Sequence, residues 1–275
     1  MSADAASVKA SPTRLALRLG GYAAALFIIF GPLSSLFIWS VAEQWYWPNL
    51  FPNKFGFLYW GKVLQGEMVG SLLLSFEIAV IVTAAVLILT VPLAYILVRW
   101  NIPAKVAIMV IFLLPQTFPQ LPVFANTAVI MYRWDLAGTL TGVILIHMVT
   151  SLVYAVWTLV AVFKAIPQSL EEAAMNLSAS RFKTFWSISL PLAMPGIFAA
   201  SLLVFLQSLD EFTGTLMIGS PYVITLPVYM YNSAMGYELQ VSSITGLLLM
   251  SPGLLILLLM ERYLKSEYLS TFGRI

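Results

Sequence analysis

The chain has 275 residues, 60% of them hydrophobic and only 9% charged, with a mean hydropathy of +0.91 and a net charge of +2. That apolar share is well above the roughly 45–50% of a soluble domain, so the chain is expected in a membrane, and its few scattered bases exclude a basic patch for nucleic acid. The absence of cysteine excludes a disulfide framework and any thiol or cysteine-ligated metal site.

The opening stretch MSADAASVKASPTRLALRLG is polar and basic, and the apolar run behind it continues past a signal peptide's short core without a convincing cleavage site. Residues 1–16 are therefore expected as a retained cytoplasmic tail, ahead of a membrane domain over 17–265 and a second cytoplasmic tail over 266–275. Within lipid each backbone polar group must pair inside its own segment, so the apolar blocks are expected as helices.

Six spans are expected. The first, 17–42, leads into EQWYWPNLFPNKFGFLYWGK, whose Trp and Tyr suit a membrane interface; this loop is either a plain anchor or a contact surface for an external partner. The second covers 69–98. The third, 105–131, contains Pro115, Pro119 and Pro122, which must kink or break it, either as a structural device or as a wall of a pathway. The fourth, 137–164, holds the single histidine, His147, without neighbouring ligands, and a hydrogen-bonded packing role is expected for it. The fifth and sixth cover 192–216 and 240–261.

An even number of spans puts both termini on one side. With the termini inside, eleven of the fourteen Lys and Arg residues fall on the cytoplasmic side and only Lys54, Lys62 and Arg133 fall outside, as the positive-inside rule requires.

Between the fourth and fifth spans, residues 166–190 form a polar island in an oily chain. Pro167 suits a helix start, and Ser169 with Glu172 matches a capping box. Ala173, Ala174, Met175 and Leu177 continue that helix. A turn is expected at Leu177-Ser178-Ala179-Ser180, and a second amphipathic segment runs from Arg181 through Trp186 to Leu190-Pro191. The Ala173–Ala174 pair leaves a small, flat face flanked by acids able to pair with a partner's arginine. The loop is then either an interfacial hairpin or a protein-docking surface.

Further on, Asp210 and Glu211 lie 19 and 20 residues beyond Pro191, about 28 Å of helix or slightly more, towards the outer half of the fifth span. With Glu77 and Glu238 they give the outer half several acids and few bases, a field that suits a cationic solute. The same acids could instead cap a helix end or pair with a partner subunit. As an acid–base pair for catalysis they are poorly placed, because adjacent helical positions point about 100° apart.

The island carries a family resemblance. Glu172-Ala173-Ala174, three residues, Ser178, nine residues, then Ile188-Ser189-Leu190-Pro191 resembles the cytoplasmic motif of permease subunits of ATP-binding-cassette importers, with serine where that motif has glycine. The resemblance implies an all-α integral membrane protein of the type I importer permease fold, six transmembrane helices with a coupling helix between spans 4 and 5. It implies a non-catalytic subunit of the bacterial inner membrane whose Glu171, Glu172, Ala173, Ala174, Leu177, Ser178, Ala179 and Arg181 meet an ATPase. The implied partners are a second permease, non-identical but similar, two ATPase subunits that carry ATP and Mg, an extracytoplasmic substrate-binding protein and membrane lipid. No cofactor or metal is expected on this chain, which lacks a phosphate-cradling Gly-rich loop with lysine.

Residues 208–231, SLDEFTGTLMIGSPYVITLPVYMY, resemble the corresponding segment of spermidine and putrescine permeases through Asp210-Glu211-Phe212 and Thr225-Leu226-Pro227. That likeness implies a polyamine or related cation as substrate, with Asp210, Glu211 and Phe212 on the pathway, and the field of outer acids adds Glu77 to them. Opines, phosphonates, thiamine, iron chelates and sugars are the alternatives within the same machinery. A secondary transporter is the alternative outside it, although no internal repeat of halves is visible.

Overall fold

The computed structural model describes residues 12–272 except Trp47, and side chains from Arg18 to Ile256 and at Leu258, again without Trp47. Residues 1–11 and 273–275, parts of the two expected tails, lie outside the described residues. The architecture is helical throughout: α1 (Pro12–Ser40), α2 (Leu58–Gln65), α3 (Glu67–Arg99), α4 (Lys105–Thr117), α5 (Gln120–Arg133), α6 (Leu140–Ala165), α7 (Gln168–Asn176), α8 (Arg181–Thr184), α9 (Leu190–Leu209), α10 (Thr213–Ile218), α11 (Leu226–Met235) and α12 (Leu239–Phe272). One β-hairpin, β1 (Ala42–Gln44) with antiparallel β2 (Lys54–Phe55), interrupts it.

The aromatic loop after the first span is folded by that hairpin and α2. Lys54 hydrogen-bonds and pairs with Glu43, which holds that carboxyl below its usual range. Trp60 donates its indole N–H to the Ser40 carbonyl at 2.9 Å, tying α2 back to the end of α1.

Five helices are long and apolar enough to cross a membrane, and α4 with α5 makes a sixth candidate as a pair bent by 98°. The break falls where the prolines were expected to put it. Phe118 stands before Pro119 and is extended (φ −99°, ψ 150°), as sterics against the proline ring demand. Pro119 then leads into α5 without offering an N–H to a continuous helix.

The fifth span departs from expectation at both ends. Instead of 192–216 it is one piece from Arg181 to Leu209, with α8 running through a π turn at Phe185–Ser189 into α9. The second segment of the polar island is therefore the root of the span. At the far end the helix stops at Asp210, and the apolar residues 213–218 belong to α10. Glu211 explains the stop: its carboxylate accepts a 2.8 Å hydrogen bond from the Gly214 amide and so starts a new helix rather than extending the old one. The last helix also exceeds expectation, reaching Phe272.

The core is built by α3, α6 and α9. Near one end Ala94, Leu97, Leu159, Phe163, Ala193 and Ala200 are buried together, and further along Ile78, Val82, Val143, Ala155 and Val204 continue the seam. Small residues let helices approach where lipid supplies no hydrophobic drive. Gly196 is an example, since a β-carbon there would stand 2.3 Å from the Val162 side chain. α6 is the central element, with more than half of its apolar stretch buried, whereas α1 lies outside the core and packs on α12. The ends of α3 and α6 and the root of the fifth span meet at one end of this core, and α7 is mounted there.

Candidate functional site

α7 begins at Pro167, whose φ of −59° suits a helix start. This places Ser169 inside the first turn, so the capping box expected between Ser169 and Glu172 does not form. Instead the Gln168 side-chain amide donates to the Glu172 carboxylate at 3.0 Å. Glu172, Ala173, Leu177, Ser178 and Arg181 are exposed, and Ala174 and Ala179 are half-buried.

Glu171 faces the other way and is 3% exposed. Its Oε1 accepts from Arg99 Nε at 2.8 Å and from Ser189 Oγ at 2.8 Å, and its Oε2 accepts from the Tyr95 hydroxyl at 3.2 Å. Arg99 also donates from Nη2 to the Ile166 carbonyl at 3.0 Å. Tyr95 and Arg99 belong to α3, Ser189 to the π turn, and Ile166 to the end of α6. One carboxylate thus fastens α7 to two spans, and its arginine reaches a third. Of the two acids expected to meet a partner, only Glu172 is exposed, because Arg99 holds Glu171 inside.

The turn after α7 resolves the serine anomaly. Ser178 has φ +65°, the left-handed region, and the Ser178 amide donates to Met175 O (2.9 Å) while the Ala179 amide donates to Ala174 O (3.1 Å). This pair of bonds is the Schellman ending, in which glycine usually takes the left-handed position. Ser180 then caps α8 by accepting from the Lys183 amide at 3.3 Å, and the Arg181 guanidinium lies 5.5 Å from the Trp100 ring centre.

At the opposite end of the fifth span the expected pathway residues are not brought together. Asp210 ends α9 and is exposed, Glu211 is buried on its own turn, and Glu77 is exposed on α3. Phe212 is half-buried with its ring 5.0 Å from that of Tyr231. His147 fills the space behind them, with Nδ1 2.9 Å from Ser208 Oγ and Nε2 2.7 Å from Thr215 Oγ1, the hydrogen-bonded packing role expected of it. In the Thr225-Leu226-Pro227 stretch, the Leu226 amide donates to Ser75 Oγ on α3 at 2.7 Å. Neither that bond nor the Arg99 clamp was visible in the sequence, where the partners lie 151 and 72 residues apart.

Residues 90–268 match the family described as binding-protein-dependent transport system inner membrane component. The chain belongs to that family. It is a multi-pass membrane permease of the ATP-binding-cassette importer class. The permease is 34% identical over 155 residues to a sulfoquinovosyl glycerol transport system permease protein of Agrobacterium fabrum, covering 56% of this chain and 54% of the relative. It is 30% identical over 186 residues to a trehalose transport system permease protein of Mycobacterium tuberculosis, covering 67% and 68%. Its fold is similar, at a TM-score of 0.67 and 22% identity, to a chain of a bacterial ABC transporter involved in the import of the acidic polysaccharide alginate, over 90% of this chain and 94% of that one.

Removing one member of a buried ion pair strands the other, at a cost of about 3–5 kcal/mol. Glu171→Leu should therefore destabilise the permease by about that amount in detergent unfolding, and adding Arg99→Leu to it should restore part of the loss in a double-mutant cycle. Ser178→Gly should raise stability by about 1 kcal/mol by relieving the left-handed serine, with uptake retained; a lower unfolding midpoint would contradict the cap geometry.

Proposed function

We propose that this permease forms half of the translocation pathway of an ATP-driven importer and is moved by an ATPase that seats α7. The observation that carries this reading is the asymmetry of α7: Glu171 is locked to α3 and the π turn, while Glu172 and Ala173 are presented outward. A helix so mounted passes a push on its outer face into the spans. On this reading the base-rich end of the bundle and both termini are cytoplasmic, the ATP and Mg sit on the ATPase subunits, and a second permease and an extracytoplasmic binding protein complete the assembly. The chain itself carries no catalytic step.

For the substrate we propose a hydroxyl-rich organic solute of the sugar or sulfosugar kind, in place of the polyamine that Asp210-Glu211-Phe212 suggested. Two observations support this. Glu211 is buried against the Gly214 amide and does not face a solute, which leaves Asp210 and Glu77 as exposed acids on separate helices. The relatives named above are, by their names, carriers of a sugar and of a sulfosugar glycerol.

Glu172→Arg should cut uptake more than tenfold while leaving the unfolding midpoint within about 1 °C, because Glu172 is exposed and its replacement disturbs no core contact. Undiminished uptake, together with failure of an ATPase to copurify, would sink the importer reading. Thermal-shift screening of the associated binding protein should give stabilisation by sugars or sulfosugars, and stabilisation by spermidine alone would reinstate the polyamine.

A further inference from the structure

A groove of about 400 Å³ runs between the last turns of α3 and the root of the fifth span, and α7's docking face does not include it. Its floor is Pro92 and Ile96, and Phe185 and Trp186 form the facing wall; the walls are apolar. Trp100 and Arg181 stand at its mouth, with the guanidinium carbon 5.5 Å from the indole ring centre. Pro92 lies seven residues before Arg99, about 10 Å along the helix axis, so the trough extends from the interface into hydrocarbon depth. Among the described residues neither Arg181 nor Lys183 forms an ion pair, and both are exposed.

A cation at the interface above a dry trough that descends along a membrane helix is complementary to one kind of molecule. We propose that the groove binds a phospholipid with an anionic headgroup. The phosphate lies at Arg181, and an acyl chain lies along Ile96 and Phe185. Basic residues beside membrane helices attract anionic lipids, and Trp100 and Trp186 suit the headgroup level. A protein arriving from the aqueous side would cover the mouth but could not fill a floor some 10 Å below it, which favours lipid over a docked subunit. Because Arg181 also opens the helix that continues through the π turn, a lipid held there would sit against the joint between α7 and the fifth span.

The test is native mass spectrometry of the full-length permease released from mild detergent after incubation with equal phosphatidylglycerol and phosphatidylethanolamine. Wild type should retain one phosphatidylglycerol at least fivefold over phosphatidylethanolamine. Ile96→Trp, which fills the floor, should abolish retention. Arg181→Gln, which keeps the stem but removes the charge, should erase the headgroup preference and still allow a lipid to bind, which separates lost binding from misfolding. Equal retention of both lipids by wild type, undiminished phosphatidylglycerol on both variants, or its loss when the ATPase is assembled onto the chain would each overturn the proposal, the last by making the groove a protein-docking surface.

Discussion

An ionised carboxylate inside this bundle is tolerable only if its lone pairs are met, and the arrangement around Glu171 follows from that requirement. Three donors from two different elements converge on it, and the strongest of them, Arg99, is itself completed by the Ile166 carbonyl. Charged partners and a neutral serine together do what neither could do alone, since a buried ion pair repays its desolvation only with further hydrogen bonds. The result fixes where α7 sits. It also gives the π turn a purpose: the extra residue in that turn brings the Ser189 hydroxyl to the carboxylate while the helix continues into α9.

A similar economy operates at the other end of the fifth span. Glu211 ends one helix and starts the next, His147 bridges Ser208 and Thr215 across that break, and Ser75 receives the first amide of α11. At this end the starts of α10 and α11 are thus each met by a side chain, as backbone in such surroundings demands. The acids that suggested a solute-binding field are divided by this logic, one inward and structural, the other outward.

Much of the architecture could be read from residues alone, because its causes are local. Apolar blocks and the prolines at 115, 119 and 122 each act within a few residues of themselves. The turn at Leu177–Ser180 was legible for the same reason, as a four-residue event with one conspicuous side chain, although its left-handed backbone was not. What escaped depended on distance or on competition. Glu171 and Glu172 look equivalent in sequence and are separated only by an arginine from another helix. Residues 213–218 are apolar enough to prolong the fifth span and are diverted by a carboxylate just before them. The expected capping box lost to Pro167, which set the helix cap two residues before Ser169.

The continuity of the fifth span has a mechanical meaning. Arg181 to Leu209 is 29 residues, so at 1.5 Å per residue the rod is about 43 Å long. A tilt of about 10° about its rooted end would carry the other end through roughly 7 Å, more than one helical turn. Asp210, the first residue past that end, would travel the full distance, so a small rotation where α7 is bolted becomes a displacement the size of a sugar ring on the far side of the membrane.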